Sequence, residues 1–309
     1  MSQPPWLSVV MPVHRGGVWL DEALASIPAP DARGSIAVII RDSTPEEPCE
    51  AIIAPHRERL PIDYEYLPDI ASWTRKTNMG VAAARSEHVC TLHQDDLWLP
   101  ARAKVIARLI ADHSDAAMLV TGAVIIGSNS EVLGRWSPPL QGAVQCPRQF
   151  RDRLLVQNSI AMPAPVWRRD AYLACGGLDE ALWYTPDWDL WLKLAAQGPV
   201  VFDPEPTAAF RIHGSSLTMT GNRGEMAREL AEVLARYSAS DRRFAALSRA
   251  SAKVNMALAE ASTGKAAAAF GALASIARLG PFGAVRYLHY SRIAERVIPR
   301  LRMRLKRAI

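Results

Sequence analysis

Val89-Cys90-Thr91-Leu92-His93-Gln94-Asp95-Asp96-Leu97-Trp98-Leu99-Pro100 decides the reading of this chain. Its first four residues form a largely apolar run of strand type, and two adjacent carboxylates follow closely. Ligands of open α/β sheets gather at the carboxyl ends of the strands, which is where Asp95 and Asp96 fall. Carboxylate oxygens are hard ligands, suited to Mg²⁺ or Mn²⁺ carrying a phosphorylated molecule. A second reading makes one Asp the cap of a helix opening near Pro100, because Asp is favoured there and Pro is tolerated in a first turn. A cap accounts for one carboxylate and leaves the other without a task.

Upstream, strand and helix signals alternate. Leu7-Ser-Val-Val-Met-Pro-Val13 and Ile36-Ala-Val-Ile-Ile40 are apolar runs, separated by Gly16-Gly17 and an amphipathic stretch with Leu20, Ala23, Leu24 and Ile27. A helical segment over 46–59, a strand over 62–67 and an Ala-rich helix over 78–85 lead back to Asp95. This spacing predicts βαβ units, an α/β class and a mostly parallel sheet whose strand ends share one edge. Downstream, 116–126 and 131–136 flank Gly127-Ser-Asn-Ser130 and read as a hairpin. Trp188, Leu190, Trp191, Leu194 and Ala195 fit a helix over 187–197, stopped by Gly198-Pro199. Strands are expected at 200–202 and 207–212, then a mobile polar loop from Gly214 to Gly224. The remainder reads as helical with breaks at Thr263-Gly264 and Gly280-Pro281. These shifts predict a catalytic domain over 1–222 and a helical extension over 223–309.

Composition narrows the class. With 309 residues and 49% hydrophobic content, one large core with an appendage is expected, and 22% charged residues exclude wholesale disorder. Cys49, Cys90, Cys146 and Cys175 have no CxxC pair and no zinc spacing, as suits reduced thiols in a cytoplasmic protein. No basic-then-apolar leader opens the chain, and no apolar run reaches the ~18 residues of a bilayer span. The net charge of +5 gathers at the end, where Arg292, Arg296, Arg300, Arg302, Arg304, Lys306 and Arg307 face only Glu295.

Chemistry-bearing residues recur at the ends of the expected elements: Asp42, Asp95 with Asp96, Asp187 and His213. Singly, each has a structural reading. Asp42 starts a turn before Ser43-Thr-Pro45, Asp187 caps its helix, and His213 belongs to a turn before Gly214. Together, on a βαβ scaffold, they mark one sheet rim with room for a nucleotide and a metal.

Leu7-Ser-Val-Val-Met-Pro-Val13, Asp42-Ser43, Asn78-Met-Gly80, His93-Gln-Asp-Asp96, Gly176-Gly-Leu-Asp-Glu180, Pro186-Asp-Trp-Asp-Leu-Trp-Leu192 and Phe210-Arg-Ile-His-Gly-Ser-Ser216 occur in the order seen in family 2 glycosyltransferases. The chain resembles that family over about residues 7 to 220. The resemblance implies a GT-A fold and an inverting, metal-dependent transfer from a nucleotide sugar, most simply uridine-linked. It places Pro12, Val13, His14, Asp42, Lys76, Asn78, Gln94 and Asp95 at the nucleotide, with Arg75 an alternative to Lys76 for the phosphates. Asp95 matches the last Asp of the family's D-x-D motif and would hold Mn²⁺ or Mg²⁺, with His213 as a further ligand and Asp96 in support. Asp187 matches the general base, Arg211 and His213 would close on the diphosphate, and the Gly-rich loop would act as a lid. Two positions depart from the pattern: His93 replaces the first Asp of D-x-D, and Pro186 replaces the Glu before the base.

Trp183 and Tyr184 are loop aromatics suited to an acceptor sugar, whereas Trp188 and Trp191 are three apart on a helix and fit a core. The acceptor implied is a carbohydrate or a lipid-linked glycan. At the far end, Ile293, Val297, Leu301 and Leu305 form a stripe beside Arg292, Arg296, Arg300 and Arg304. Such a helix suits an anionic membrane surface, giving a peripheral cytoplasmic protein, or packs on the domain with solvated arginines outward. Nucleic acid is a poor fit, since no binding module accompanies the basic helix. Two competitors stand: a sugar-phosphate nucleotidyltransferase, of whose basic Gly-rich loop Val13-His-Arg-Gly-Gly17 is a faint echo, and a non-catalytic nucleotide-sugar sensor. A dinucleotide-dependent dehydrogenase is disfavoured because no GxGxxG follows the first strand.

Overall fold

The protein is described by a computed structural model covering residues 4–214, 216, 221–237, 239–262 and 267–307. Its framework is a mixed sheet in the order β3-β2-β1-β4-β9-β6-β10-β5, with β7 added beside β6 and β8 (Val144–Gln145) beside β10. The first half, β1 (Leu7–Val13), β2 (Ile36–Asp42), β3 (Ile62–Tyr66) and β4 (His88–Thr91), is parallel. β9 (Val166–Arg168) runs antiparallel between β4 and β6 (Met118–Ile126), so the parallel pattern breaks at the centre.

Alternation along β1 explains why every residue of it is buried. Val10 packs with Ile39, Val89, Trp167, Trp188 and Trp191 on one face of the sheet. Val9 and Met11 pack with Val38, Ile40, Leu20, Leu24 and Ile106 on the other. A strand covered by helices on both sides reads as a continuous apolar run, which is the pattern of this segment. Helix α3 (Trp73–Ala83) lies close over β1, and at Gly80 a Cβ would come within 2.4 Å of Val10 Cγ1. Glycine is therefore required for that approach.

Element boundaries differ from expectation where local chemistry intervenes. The segment over 46–59 yields only a short helix, α2 (Glu50–Ile53), and a 3₁₀ turn, because Pro55 has no N–H to continue the ladder. α3 starts five residues earlier than expected, capped by Ser72, whose hydroxyl accepts from the Arg75 amide at 3.2 Å. The two strands expected after 200 are one strand, β10 (Val200–Arg211), with a register break between Asp203 and Pro206. Gly122 faces that break, and a Cβ there would lie 2.6 Å from the Pro204 carbonyl. The hairpin of β6 and β7 (Val132–Trp136) forms as predicted. Neither Asp95 nor Asp96 caps the next helix: β5 (Leu97–Trp98) intervenes, and α4 (Arg102–Asp112) begins after Ala101 with no side-chain cap.

Residues 215 and 217–220 of the loop expected to be mobile lie outside the described residues, as does the break at Thr263-Gly264. The expected boundary at 222 falls at the start of the helix Arg223–Arg236, which packs Leu230 and Val233 into the same core as Trp188. The helices Arg242–Ser262, Ala267–Ala277, Gly280–Ser291 and Ile293–Arg307 follow. The last of them lies against β7, where Pro299 Cγ sits 2.9 Å from the position a Cβ of Gly134 would take. Among the described residues, no single helix is long and apolar enough to cross a membrane.

Candidate active site

One cleft of about 400 Å³ opens at the carboxyl ends of β1 and β4 and is lined by residues from across the chain. His14, just beyond β1, and Gln94, just beyond β4, clasp each other: the His14 amide donates to Gln94 Oε1 at 2.7 Å, and Gln94 Nε2 returns a bond to the His14 carbonyl at 2.8 Å. Pro12 joins them in the lining. Lys76 reaches the same corner from α3, where buried Nζ donates to the Val13 carbonyl (2.6 Å) and to Ser43 Oγ (2.7 Å). Burial pushes its pKa down to about 8.

Beside this corner stands an acidic cluster. Ligand atoms of His93, Asp95 and Asp96 lie within 4.8 Å of one another. His93 Nε2 and Asp96 Oδ2 are buried with no hydrogen-bond partner, a costly state for groups of this polarity unless something completes them. Burial lowers the His93 pKa, so the imidazole is neutral, the form that ligates metal. Burial also drives the Asp96 carboxyl well up, and the Asp95 charge adds to it. Asp95 behaves oppositely: burial raises its pKa, but the hydrogen bond from His213 and the nearby imidazoles outweigh that and hold it below the ordinary value. His213 Nε2 sits 2.8 Å from Asp95 Oδ2. The donor set thus fits a divalent cation.

Across the cleft, Asp187 occupies the first turn of helix α7 (Pro186–Leu194). Its Oδ1 accepts from the Trp188 amide and its Oδ2 from Asn158 Nδ2, both at 2.8 Å. Burial nevertheless raises its pKa from 3.8 to about 6, and the Glu229 charge pushes the same way. Trp183 and Tyr184 precede it and also line the cleft. Trp188 and Trp191 are buried in the core, as their helical spacing predicts, with Trp188 also touching the cleft.

Three residues expected at the ligand are engaged elsewhere. Asp42 is fully buried and outside the lining; its oxygens accept from the Thr44 amide (2.8 Å) and hydroxyl (2.7 Å), the Cys49 amide (2.9 Å) and Tyr64 (3.0 Å). With four donors satisfied, this carboxylate shapes the loop after β2 and presents no free oxygen to a base. Asn78 is likewise a staple, donating to Leu178 O and Glu180 Oε1 and accepting from Tyr172 and the Leu178 amide, all between 2.5 and 3.0 Å. Arg211 touches the cleft, but its guanidinium binds the Asp95 carbonyl (2.6 Å), Gly127 O (2.9 Å) and Glu22 (2.7 Å). It braces the acidic loop from behind instead of facing a diphosphate.

Sequence reading missed the contribution of the C-terminal helices. Glu229 is buried, and its carboxylate accepts from the amides of Trp183, Tyr184 and Thr185 at 2.9–3.0 Å and from the Thr185 hydroxyl at 3.2 Å. It therefore holds the loop that presents Asp187. Its signal was legible: Met226, Glu229, Leu230 and Val233 share one helical face, and an acid on an apolar face needs donors. Arg296 and Arg300, expected outward on an amphipathic helix, line the cleft instead. The side chains of Leu301, Arg304 and Leu305 lie outside the described residues.

A half-parallel sheet with an acidic cluster and a partly buried carboxylate in one cleft is the architecture of a sugar-transfer enzyme built on the GT-A fold. The sequence profile of glycosyl transferase family 2 matches residues 8–163, about half of the chain, and the protein belongs to that family. Uncharacterised glycosyltransferases of Rickettsia typhi and Rickettsia prowazekii are 23% and 22% identical to it over 229 residues, covering 70% of this chain and 67% of each relative. Among solved structures, S. aureus TarS 1-349 in complex with UDP-GlcNAc superposes with a TM-score of 0.62 at 15% identity, over 78% of this chain and 70% of that one. The mannosyltransferase PcManGT of Pyrobaculum calidifontis, in complex with GDP-Man and Mn²⁺, gives 0.58 at 16% identity, over 93% of this chain and 79% of that one. These likenesses establish the fold.

Proposed function

We propose that the chain transfers a sugar from a nucleotide-diphosphate sugar, most simply uridine-linked, to a hydroxyl of a glycan or lipid-linked glycan, with inversion at the anomeric carbon. The observation that carries this reading is a single cleft holding both the His93–Asp95–Asp96 cluster and a carboxylate whose pKa lies near neutrality. The nucleotide-sugar ligands of the two structural neighbours support the donor class.

In this reading Pro12, His14 and Gln94 border the nucleotide, while Lys76 and Asp42 hold its loops in shape. Asp187 takes the acceptor hydroxyl proton; the acceptor oxygen bonds to the anomeric carbon as the carbon–oxygen bond to the nucleoside diphosphate breaks on the opposite face. A carboxylate of pKa about 6 is a stronger base than an ordinary Asp and remains ionised at neutral pH. His93, Asp95 and Asp96 would hold a divalent cation, with His213 alongside, and such an ion would supply positive charge beside the departing diphosphate. Imidazole in place of the usual carboxylate favours Mn²⁺ over Mg²⁺.

Contact with an anionic membrane surface is assigned to the helices Ala267–Ala277 and Gly280–Ser291 in place of the basic helix. Phe270, Leu273, Phe282, Val285 and Leu288 are exposed there, with Arg278 exposed beside them. Free thiols at all four cysteines suit the cytoplasmic side.

A panel of UDP- and GDP-sugars with Mn²⁺, scored for donor hydrolysis and transfer, tests the reading. At least one donor is expected to turn over, and to stop doing so in Asp187→Asn while still binding. Donor binding without turnover in the wild type would mark the sensor alternative.

A further inference from the structure

Two guanidiniums in the cleft have no task in the transfer chemistry. Arg296 and Arg300 come from the helix Ile293–Arg307, which forms the wall beside Trp136 and Tyr184. Arg296 is anchored without being neutralised: one terminal nitrogen donates to Asn255 Oδ1 at 3.0 Å, and the other is buried with no partner. Arg300 donates to the main-chain carbonyl of Arg296 at 2.7 Å. Among the described residues, no carboxylate lies within 4.0 Å of either. Glu295, their sequence neighbour, is turned away to Arg292 (3.4 Å) and to the Ser137 amide (3.1 Å). Burial lowers both pKa values, Arg300 to about 10, where the Arg296 charge contributes as well. Two like charges taken out of water and left unpaired oppose folding, so an anion completing them would be bound firmly.

Position distinguishes this anion from the donor's diphosphate. Asn255, which holds Arg296, also donates to Gln157 Oε1 at 2.8 Å, and the next residue, Asn158, donates to Asp187. The arginines are therefore tied through Asn255 and Gln157 to the segment that holds Asp187, with Tyr184 also near them. A second phosphate-scale anion on that side belongs to the molecule whose hydroxyl is deprotonated.

We infer that Arg296 and Arg300 form a phosphate-binding subsite for the acceptor, so that the acceptor is a phosphate-bearing sugar or polyol. The word acceptor rests on the transferase reading above; the anion site itself does not.

The test uses the full chain and two probes, methyl glucoside 6-phosphate and methyl glucoside, with binding read by calorimetry. With saturating UDP and Mn²⁺ the phosphorylated probe is expected to bind at least ~10-fold more tightly, since one charge-assisted contact is worth roughly that much. Arg300→Gln and Arg296→Gln should each erase most of the difference, and Arg296→Lys should keep part of it. No preference in the wild type, or an unchanged preference in the Gln variants, overturns the inference. Loss of the preference when UDP is added also overturns it, because the arginines would then serve the donor. If UDP does not bind at all, the transferase reading fails, yet the probe comparison without UDP still decides the subsite. Should Arg296→Gln fail to fold, Arg300→Gln carries the test.

Discussion

Asp187→Asn should make the protein more stable while removing its activity. The wild-type carboxyl is displaced from 3.8 to about 6 by burial, which corresponds to roughly 3 kcal/mol at 1.36 kcal/mol per pH unit. Between those two values the folded state binds more protons than the unfolded one. Wild-type stability is therefore full below about pH 4 and declines as pH rises through about 6. Asparagine has no charge to desolvate, but it has one acceptor oxygen where Asp187 uses two, for Trp188 N and Asn158 Nδ2. Losing one of those bonds costs about 1 kcal/mol. The net expectation at about pH 8 is a gain of about 2 kcal/mol, or roughly 4 °C in Tm for a chain of this size. Near pH 4 the gain should vanish and the variant should fall slightly below wild type. Thermal and urea denaturation of both proteins across that range reads the difference, alongside a transfer assay in which loss of the base costs about 10²–10⁴-fold. A stability gap that does not change with pH would refute the argument that the fold strains this carboxylate.

Wild-type kcat/KM should fall on the acid side with an apparent pKa near 6, since the base works only when ionised, and a pH–rate profile checks this. Asp95→Ala and His93→Ala should abolish Mn²⁺-dependent binding of UDP in calorimetry, whereas His93→Asp should retain it and shift the preference toward Mg²⁺. Glu229→Gln should leave donor affinity in place but lower kcat about tenfold, because the 183–185 loop loses charge-assisted bonds. The same change should move the acid limb to lower pH, as it removes a negative charge near Asp187. Phe270→Asp with Phe282→Asp should weaken partitioning onto anionic vesicles by at least about a hundredfold, each buried apolar side chain being worth roughly 1.5–3 kcal/mol.

Much of the donor half was legible because its physics is local. The largely apolar β1 and β2, the strand before Asp95 and the helix after Asp187 follow from period and composition alone. What sequence did not disclose is which polar side chains remain free after folding. Asp42, Asn78 and Arg211 have the residue types of ligands, but the loops around them supply enough partners to use every strong bond. Gln94 and His14 differ in that they line the cleft while bonded: the Gln94 amide clasps the His14 main chain, and His14 Nδ1 sits 3.0 Å from the Ser43 carbonyl. The direction of Arg296 and Arg300 was hidden for another reason: it depends on Pro299 docking at Gly134, a contact between residues far apart in the chain. A helix stripe states which faces exist and not which neighbour each will meet.

Glu229 has one more implication, for the ribosome. The sheet and the corner around His14 and Gln94 are synthesised early, whereas the carboxylate that fastens residues 183–185 emerges after them. A nascent or truncated chain ending before that helix would leave the 183–185 amides without that carboxylate and carry Asp187 on an unfastened loop.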